Sequence, residues 1–70
     1  MTKAEIMAAL EGELTVPLWP TAGKALGYSR NTTYEAARHG DIPGAFRIRN
    51  NWRVATAPLR QRLGLDQQAA

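Results

Sequence analysis

The stretch Leu-Gly-Tyr-Ser-Arg-Asn-Thr-Thr-Tyr-Glu-Ala-Ala-Arg-His-Gly, residues 26–40, is the most informative part of this chain, because it predicts a tight turn leading into a helix. Gly27 suits the left-handed conformation in which one helix ends and the chain reverses. Ser29 suits the helix N-cap, since its hydroxyl accepts hydrogen bonds from free amides of the first turn. Small side chains share one side of the helical wheel: Thr33, Ala36 and Ala37.

The other side of this helix carries a row of hydrogen-bonding groups: Asn31, Tyr34, Glu35 and Arg38. Such a row is either an ordinary solvated face or a contact surface. The preceding segment favours a contact surface, because Pro20 stands near the start of a short helix whose small residues let a second helix cross closely. Two short helices joined by residues 27–29 predict a helix-turn-helix, whose second helix meets the DNA major groove.

Length and composition predict one small domain. A chain of 70 residues buries only about 60% of its unfolded surface, so we expect marginal stability. It has no cysteine, no signal-like start and no span of ~20 apolar residues, so we expect a soluble cytoplasmic protein without a membrane partner. No carboxylate pair, nucleophile constellation or glycine-rich phosphate loop accompanies the single histidine, His39. We therefore expect no enzyme activity, metal, cofactor or small-molecule ligand.

The charge distribution indicates a polyanionic partner. The net charge is +3 and the pI is near 10.0, which favours nucleic acid or an acidic surface. Residues 1–13 carry Lys3 against three glutamates, whereas every cation from Arg30 onward is an arginine. Arginine presents a planar fork of donors that matches phosphate and the guanine edge.

An N-terminal helix is predicted within residues 1–13. Thr2 and Glu5 fit a capping box that begins it, and its apolar side chains share one face. A helix this short is not stable alone in water, so it must dock. It docks either on its own domain or on a neighbouring subunit.

Residues 14–65 form the predicted DNA-binding domain. Residues 14–19 favour an extended lead-in or a short edge strand, because Pro17 interrupts them. The last helix is expected to begin at residues 56–58 and to end at Gly64. A flexible tail, residues 66–70, follows.

Residues 46–54 predict a β-hairpin, since two short runs alternate apolar and basic side chains. A loop of residues 50–51 alone would mix charged and apolar side chains on both faces. A loop of residues 49–51, with an asparagine in the left-handed region, instead gives one apolar face and one arginine face. It places Arg47 opposite Arg53, a like-charge pair that is unfavourable unless an anion such as phosphate lies beside it. The other predicted pairs are Ile48 with Trp52 and Phe46 with Val54.

Residues 22–43, Ala-Gly-Lys-Ala-Leu-Gly-Tyr-Ser-Arg-Asn-Thr-Thr-Tyr-Glu-Ala-Ala-Arg-His-Gly-Asp-Ile-Pro, resemble the small DNA-binding domain of phage excisionases and the DNA-binding heads of mercury-resistance-type (MerR-like) regulators. Arg-Ile at residues 47–48 and Trp-Arg-Val at 52–54 are similar to the wing of that family. The resemblance covers roughly residues 16–63. It implies a mainly α fold with a small β-hairpin, a winged helix-turn-helix, to which this chain adds an N-terminal helix.

The resemblance implies that the second helix enters the major groove, with the wing along the backbone or the adjacent minor groove. The chain departs from the family at Thr33, where a branched apolar residue is usual, and at Arg49, where glycine is usual. Glu35 would accept from a cytosine amine or exclude wrong sequences. The implied contacts are Ser29, Arg30, Asn31, Thr32, Tyr34, Glu35 and Arg38 in the recognition helix, and Arg47, Arg49, Asn50, Asn51 and Arg53 in the wing.

The function implied by the resemblance is that of an excisionase, a recombination directionality factor. Such a protein binds repeated DNA sites cooperatively, bends the DNA and directs a tyrosine integrase towards excision. About five neutralised phosphates predict a log-log salt slope of about −4 to −5. Because one module binds weakly, neighbouring copies are expected head to tail, with the acidic residues 1–13 against the basic wing or last helix. The alternatives are a small phage or bacterial transcriptional regulator on the same fold and, less favoured, an antitoxin or protein-binding module.

Overall fold

Four α-helices and a three-stranded antiparallel sheet form a helix-rich mixed α and β domain in residues 1–65, the part of the chain that the computed structural model describes. The predicted tail, residues 66–70, lies outside the described residues. None of the helices in residues 1–65 combines the length and the apolar character that crossing a bilayer requires. In chain order the elements are α1 (Lys3–Gly12), β1 (Thr15–Pro17), a π-helical segment (Leu18–Ala22), α2 (Gly23–Leu26), α3 (Arg30–Arg38), β2 (Ala45–Ile48), β3 (Asn51–Ala55) and α4 (Thr56–Leu63).

Helix α1 begins with the predicted capping box. The Thr2 N–H donates to Glu5 Oε1 at 2.7 Å, and the Glu5 N–H donates to the Thr2 hydroxyl oxygen at 3.2 Å. The bond from the Thr2 backbone N–H, and after it a bond from the Thr2 side chain to the carboxyl, hold the pKa of the Glu5 carboxyl below its usual value. Leu10 is buried in the core, and α1 packs on α4. Of the two dockings left open by the sequence, α1 therefore uses its own domain.

Side chains of α4 make hydrogen bonds to the last turn of α1 and to the segment that follows it. Thr56 is buried, and its hydroxyl donates to the carbonyl oxygen of Glu13 at 2.6 Å. The carbonyl oxygen of Leu14 lies 3.0 Å from the same hydroxyl and shares the hydrogen bond. Arg60 Nη1 donates to the Leu10 carbonyl oxygen at 2.6 Å and to the Thr56 hydroxyl oxygen at 3.1 Å. Helix α4 begins at Thr56, within the predicted range, and its N-cap is Ala55. The Thr56 hydroxyl is therefore not needed as a helix cap and makes these contacts instead.

The sheet has the strand order β1-β3-β2, so β1 is the short edge strand that the sequence allowed. Val16 of β1 lies opposite Val54 of β3, and both side chains are fully buried. This pair fixes which face of β3 meets the core. The buried apolar residues of the core are Leu10, Val16, Leu18, Ala22, Ala37, Ile42, Val54 and Leu59.

The predicted hairpin register is wrong. The loop is Arg49 and Asn50 alone, so Arg47 lies opposite Trp52 and Phe46 lies opposite Arg53. Arg47 and Arg53 therefore point to opposite faces of the sheet, and the like-charge pair that suggested a phosphate does not exist. The predicted separation into an apolar face and an arginine face is also wrong.

The pairing with β1 does not decide this register, because Val16 keeps Val54 on the core face and Arg53 on the other face in either register. The loop decides it, since a loop of two residues instead of three shifts β2 by one residue against β3. Arg49 takes the left-handed conformation, with φ at 58°, instead of an asparagine. That is the first position of a two-residue loop, where a positive φ favours glycine.

Candidate nucleic-acid interface

The turn between α2 and α3 has the predicted geometry. Gly27 ends α2 with φ at 81°, and the Tyr28 N–H donates to the Gly23 carbonyl oxygen at 2.9 Å. Ser29 is the N-cap of α3, and its hydroxyl oxygen accepts from the Thr32 N–H at 3.3 Å. The chain thus reverses within residues 27–29 and aims the N-terminal end of α3 outward, where its first three residues are exposed.

Helices α2 and α3 approach closely at Gly23. A Cβ atom on Gly23 would overlap Thr33 Oγ1 and lie 2.6 Å from Cε3 of Trp19. Thr33 is fully buried, and its hydroxyl donates to the Ser29 carbonyl oxygen at 2.7 Å. This hydrogen bond explains how a threonine replaces the expected branched apolar residue, since the polar group is satisfied within the helix itself.

The outer side of α3 carries most of the predicted contact residues in exposed positions. Tyr34 differs, because it is half-buried and packs against the core. The guanidinium carbon of Arg30 lies 5.9 Å from the centre of the Tyr34 ring, within cation–π range. The Tyr34 ring therefore helps to hold the Arg30 side chain in position, and only part of the Tyr34 side chain is accessible to a partner. The exposed residues are Ser29, Arg30, Asn31, Thr32, Glu35 and Arg38.

The predicted hairpin residues divide into three groups. Arg49, Asn50 and Asn51 are exposed at the tip. Arg47 is exposed, and its guanidinium carbon lies 5.7 Å from the centre of the Trp52 ring. Arg53 is half-buried.

The Arg53 side chain is hydrogen-bonded to a neighbouring strand of the sheet. Its Nη2 donates to the carbonyl oxygen of Thr15 at 3.2 Å and to the Thr15 hydroxyl oxygen at 3.0 Å. These bonds join β3 to the edge strand β1. Arg53 therefore has a structural role, and only part of its guanidinium faces outward.

Sequence reasoning missed the exposure of two apolar side chains. Phe46 is 37% exposed and Ile48 is 63% exposed, because both lie on the sheet face away from the core, called the outer face below. The signal that could have found them is Arg49. The family that this sequence resembles usually has glycine at that position of its wing, and glycine is typical of a turn. A turn that starts at Arg49 gives the observed register.

A third cation also lies beside an aromatic ring. Lys24 of α2 has its Nζ 5.7 Å from the centre of the Trp19 ring, and Lys24 is exposed. Each of these rings is half-buried and braces a cation at the surface. The rings therefore help to hold three positive charges in fixed positions at the surface, those of Lys24, Arg30 and Arg47.

The arrangement presents guanidinium, amide and hydroxyl donors, which are the groups that bind phosphate oxygens and base edges. Within residues 1–65, no group of three or more histidine, aspartate or glutamate side chains is placed to hold a metal ion. Comparison of the chain with protein-family models, curated protein sequences and solved structures finds no match.

Proposed function

We propose that the chain is a winged helix-turn-helix protein that binds duplex DNA, with α3 as the recognition helix and the β2–β3 hairpin as the wing. One observation carries the proposal. Helix α3 meets the core through the small residues Thr33 and Ala37, while its N-terminal half projects exposed donors. A helix that presents its N-terminal donors in this way suits the major groove.

The residues of α3 have different roles in this proposal. Arg30 and Asn31, at the exposed N-terminal end, contact base edges, where arginine pairs with guanine and asparagine with adenine. Arg38, in the last turn, binds phosphate and sets the orientation of the helix. Glu35 accepts from a cytosine amine or excludes other bases.

The hairpin contributes less charge than the sequence indicated. Arg47 and Arg49 are exposed and face phosphate, whereas Arg53 is largely held by Thr15. Together with Arg30 and Arg38 they neutralise about four phosphates, for a log-log salt slope of about −3.6. This is shallower than the slope of −4 to −5 expected from the sequence.

One copy covers little DNA. The longest dimension of the domain is 34 Å, comparable to a single turn of B-DNA. A single module of this size binds weakly, so function requires several copies on repeated sites. We infer an excisionase role, in which an array bends DNA and directs a tyrosine integrase towards excision.

The salt dependence of DNA binding tests the proposal. The full chain is used to select duplexes from a random-sequence pool, and gel shifts of one selected duplex are measured between about 50 and about 200 mM salt. We expect affinity to fall roughly 100-fold over this range. Arg38→Gln should make the slope shallower by about 1, while Arg62→Gln, an exposed arginine of α4, should leave it unchanged. Salt-insensitive binding, or none, contradicts DNA binding.

A second assay separates the excisionase from a transcriptional regulator on the same fold. Both use the residues above, so the contacts do not distinguish them. Circular-permutation gels report bending, and a recombination assay with a tyrosine integrase reports excision. Strong bending with stimulated excision supports the excisionase, and binding without either favours the regulator.

A further inference from the structure

The outer face of the hairpin combines exposed apolar side chains with positive charge. Phe46 and Ile48 share this face with Arg53 and Asn51, their cross-strand partners. Ile48 is the last residue before the loop, directly beside Arg49 at the tip. Ile48 is 63% exposed and Phe46 is 37% exposed on the same face, so the two form an apolar patch whose removal from water by a partner is favourable.

The charge around Ile48 indicates what covers it. Residues 42–65 contain arginines and no aspartate or glutamate, so the whole hairpin and α4 are cationic. An occupant must therefore be polyanionic and still offer an apolar slot. The minor groove of DNA meets both requirements, because phosphates line it and the faces of stacked bases are apolar.

We propose that Ile48 is an apolar wedge that enters a base step of the DNA minor groove and kinks the duplex. The inference rests on the proposed DNA binding and deepens it. Proteins that bind the minor groove insert isoleucine, leucine, phenylalanine, methionine or proline in this way and kink the duplex by roughly 20 to 90°. Phe46, two residues back on the same face, covers the sugars beside the opened step, and Arg49 at the tip holds a flanking phosphate.

A neighbouring copy is a poorer occupant. An apolar groove of about 450 Å³ lies between α1, α2 and the end of α4, lined by Ile6, Leu10 and Leu63 among others. Lys3 and Lys24 also line it. These lysines repel an arginine-flanked hairpin, so the groove does not suit the Ile48 tip of another copy.

The wedge gives the protein a preference for certain DNA sequences that does not depend on hydrogen bonds to the bases. Pyrimidine–purine steps such as TA and CA/TG unstack most easily, and A-tracts resist deformation. The step under Ile48 should therefore be pyrimidine–purine. Replacing it with an A-tract should weaken wild-type binding more than it weakens binding by Ile48→Ala.

The test uses the full chain and a duplex that the wild-type protein selected from a random pool. 2-Aminopurine replaces adenine at one position at a time, because its fluorescence rises when its base unstacks. Fluorophores at the two ends report the bend. Ile48→Ala is compared with wild type and with Leu14→Ala. Leu14 is 89% exposed and precedes β1, at the end of the sheet far from the hairpin loop, so it is a matched exposed apolar control.

The expected result is a fluorescence rise at one step and a bend of roughly 20° or more with wild type and Leu14→Ala. Ile48→Ala should lose most of both signals while its affinity stays within roughly tenfold of wild type. Unchanged bending and fluorescence in Ile48→Ala overturn the wedge. A loss of cooperativity on repeated sites with normal bending of single sites also overturns it, and assigns Ile48 to a protein contact. If wild type binds no duplex, the wedge and the proposed function fail together, whereas failure of the wedge alone leaves wild-type binding intact.

Discussion

Arg47 and Trp52 lie directly opposite each other in the hairpin, with the guanidinium carbon 5.7 Å from the centre of the indole ring. This contact explains how an arginine is tolerated on the sheet face that also carries the buried Val54. The ring attracts the cation, and the long stem of the arginine covers apolar surface beside it. A charged side chain on the core side of a strand is therefore compatible with a stable hairpin.

Removing the charge of Arg47 distinguishes the observed register from the predicted one. Arg47→Gln should lower the free energy of unfolding by about 0.5–1 kcal/mol, because the cation–π contact is lost. If Arg47 instead faced Arg53, the same change would relieve repulsion and raise stability. Urea unfolding of both proteins gives the sign, and Arg62→Gln on α4 should change stability by less than about 0.5 kcal/mol.

The loop should accept glycine at one position only. Arg49 has φ at 58°, which costs a residue with a side chain about 1–2 kcal/mol. Part of that gain is lost to the greater freedom of glycine in the unfolded chain, so Arg49→Gly should stabilise by about 0.5–1 kcal/mol. Asn50→Gly, at the next position, should not stabilise. Thermal melts measure the two changes, and equal effects would contradict the assigned turn.

The close approach of α2 and α3 predicts intolerance of any side chain at Gly23. Gly23→Ala should lower the free energy of unfolding by about 1–3 kcal/mol, because its methyl group overlaps Thr33 Oγ1 and the Trp19 ring. Gly12→Ala is the control, since a Cβ atom there meets nothing within 4 Å. It should be neutral or stabilise by up to about 1 kcal/mol. A harmless Gly23→Ala would show that the helices cross with more room.

The capping box of α1 should give the protein an acid-sensitive component of stability. Since folding lowers the pKa of Glu5, its contribution is present above the roughly 4.3 of an unperturbed glutamate and is lost as the pH falls through the lowered pKa. Glu5→Gln keeps a hydrogen-bonding side chain at this position and cannot titrate. Between about pH 5 and about pH 3, stability should fall less in Glu5→Gln than in wild type. Parallel pH profiles from urea unfolding would contradict this role.

The acidic N-terminal region should serve contacts between copies bound to DNA. Glu11 and Glu13 are exposed, and α1 lies on its own domain, so their carboxylates are available to a cationic neighbour. Changing both to lysine should abolish cooperativity on repeated sites and spare binding to a single site. Asp41→Lys controls for added positive charge, since Asp41 is exposed outside α1. Gel shifts with one and two sites measure the effect, and unchanged cooperativity would sink the head-to-tail arrangement.

Features set by neighbouring residues could be predicted from the sequence. The Thr2 and Glu5 capping box, the Gly27 turn and the Ser29 N-cap each depend on hydrogen bonds that span only a few residues. The prediction that small side chains form the inner side of α3 is also confirmed at Thr33 and Ala37, which are buried. These features position α3, which is why most of its outer residues are exposed as expected.

The hairpin register was not predictable from the alternation of side chains. It follows from the two-residue loop of Arg49 and Asn50, in which Arg49 takes a positive φ. Alternation within residues 46–54 allowed several registers, and the one that separated apolar from basic residues was wrong. The exposure of Ile48 and the engagement of Arg53 by Thr15 both follow from the true register.

Helix α3 meets the core through the buried side chains of Thr33 and Ala37, with Ala36 and the half-buried Tyr34 packed beside them. Its packing therefore depends on positions other than the exposed residues that are proposed to contact DNA. In the proposed function, substitutions at Asn31 or Glu35 change what the helix binds and leave folding almost untouched. The proposed binding specificity is then free to change by single substitutions that keep the domain folded.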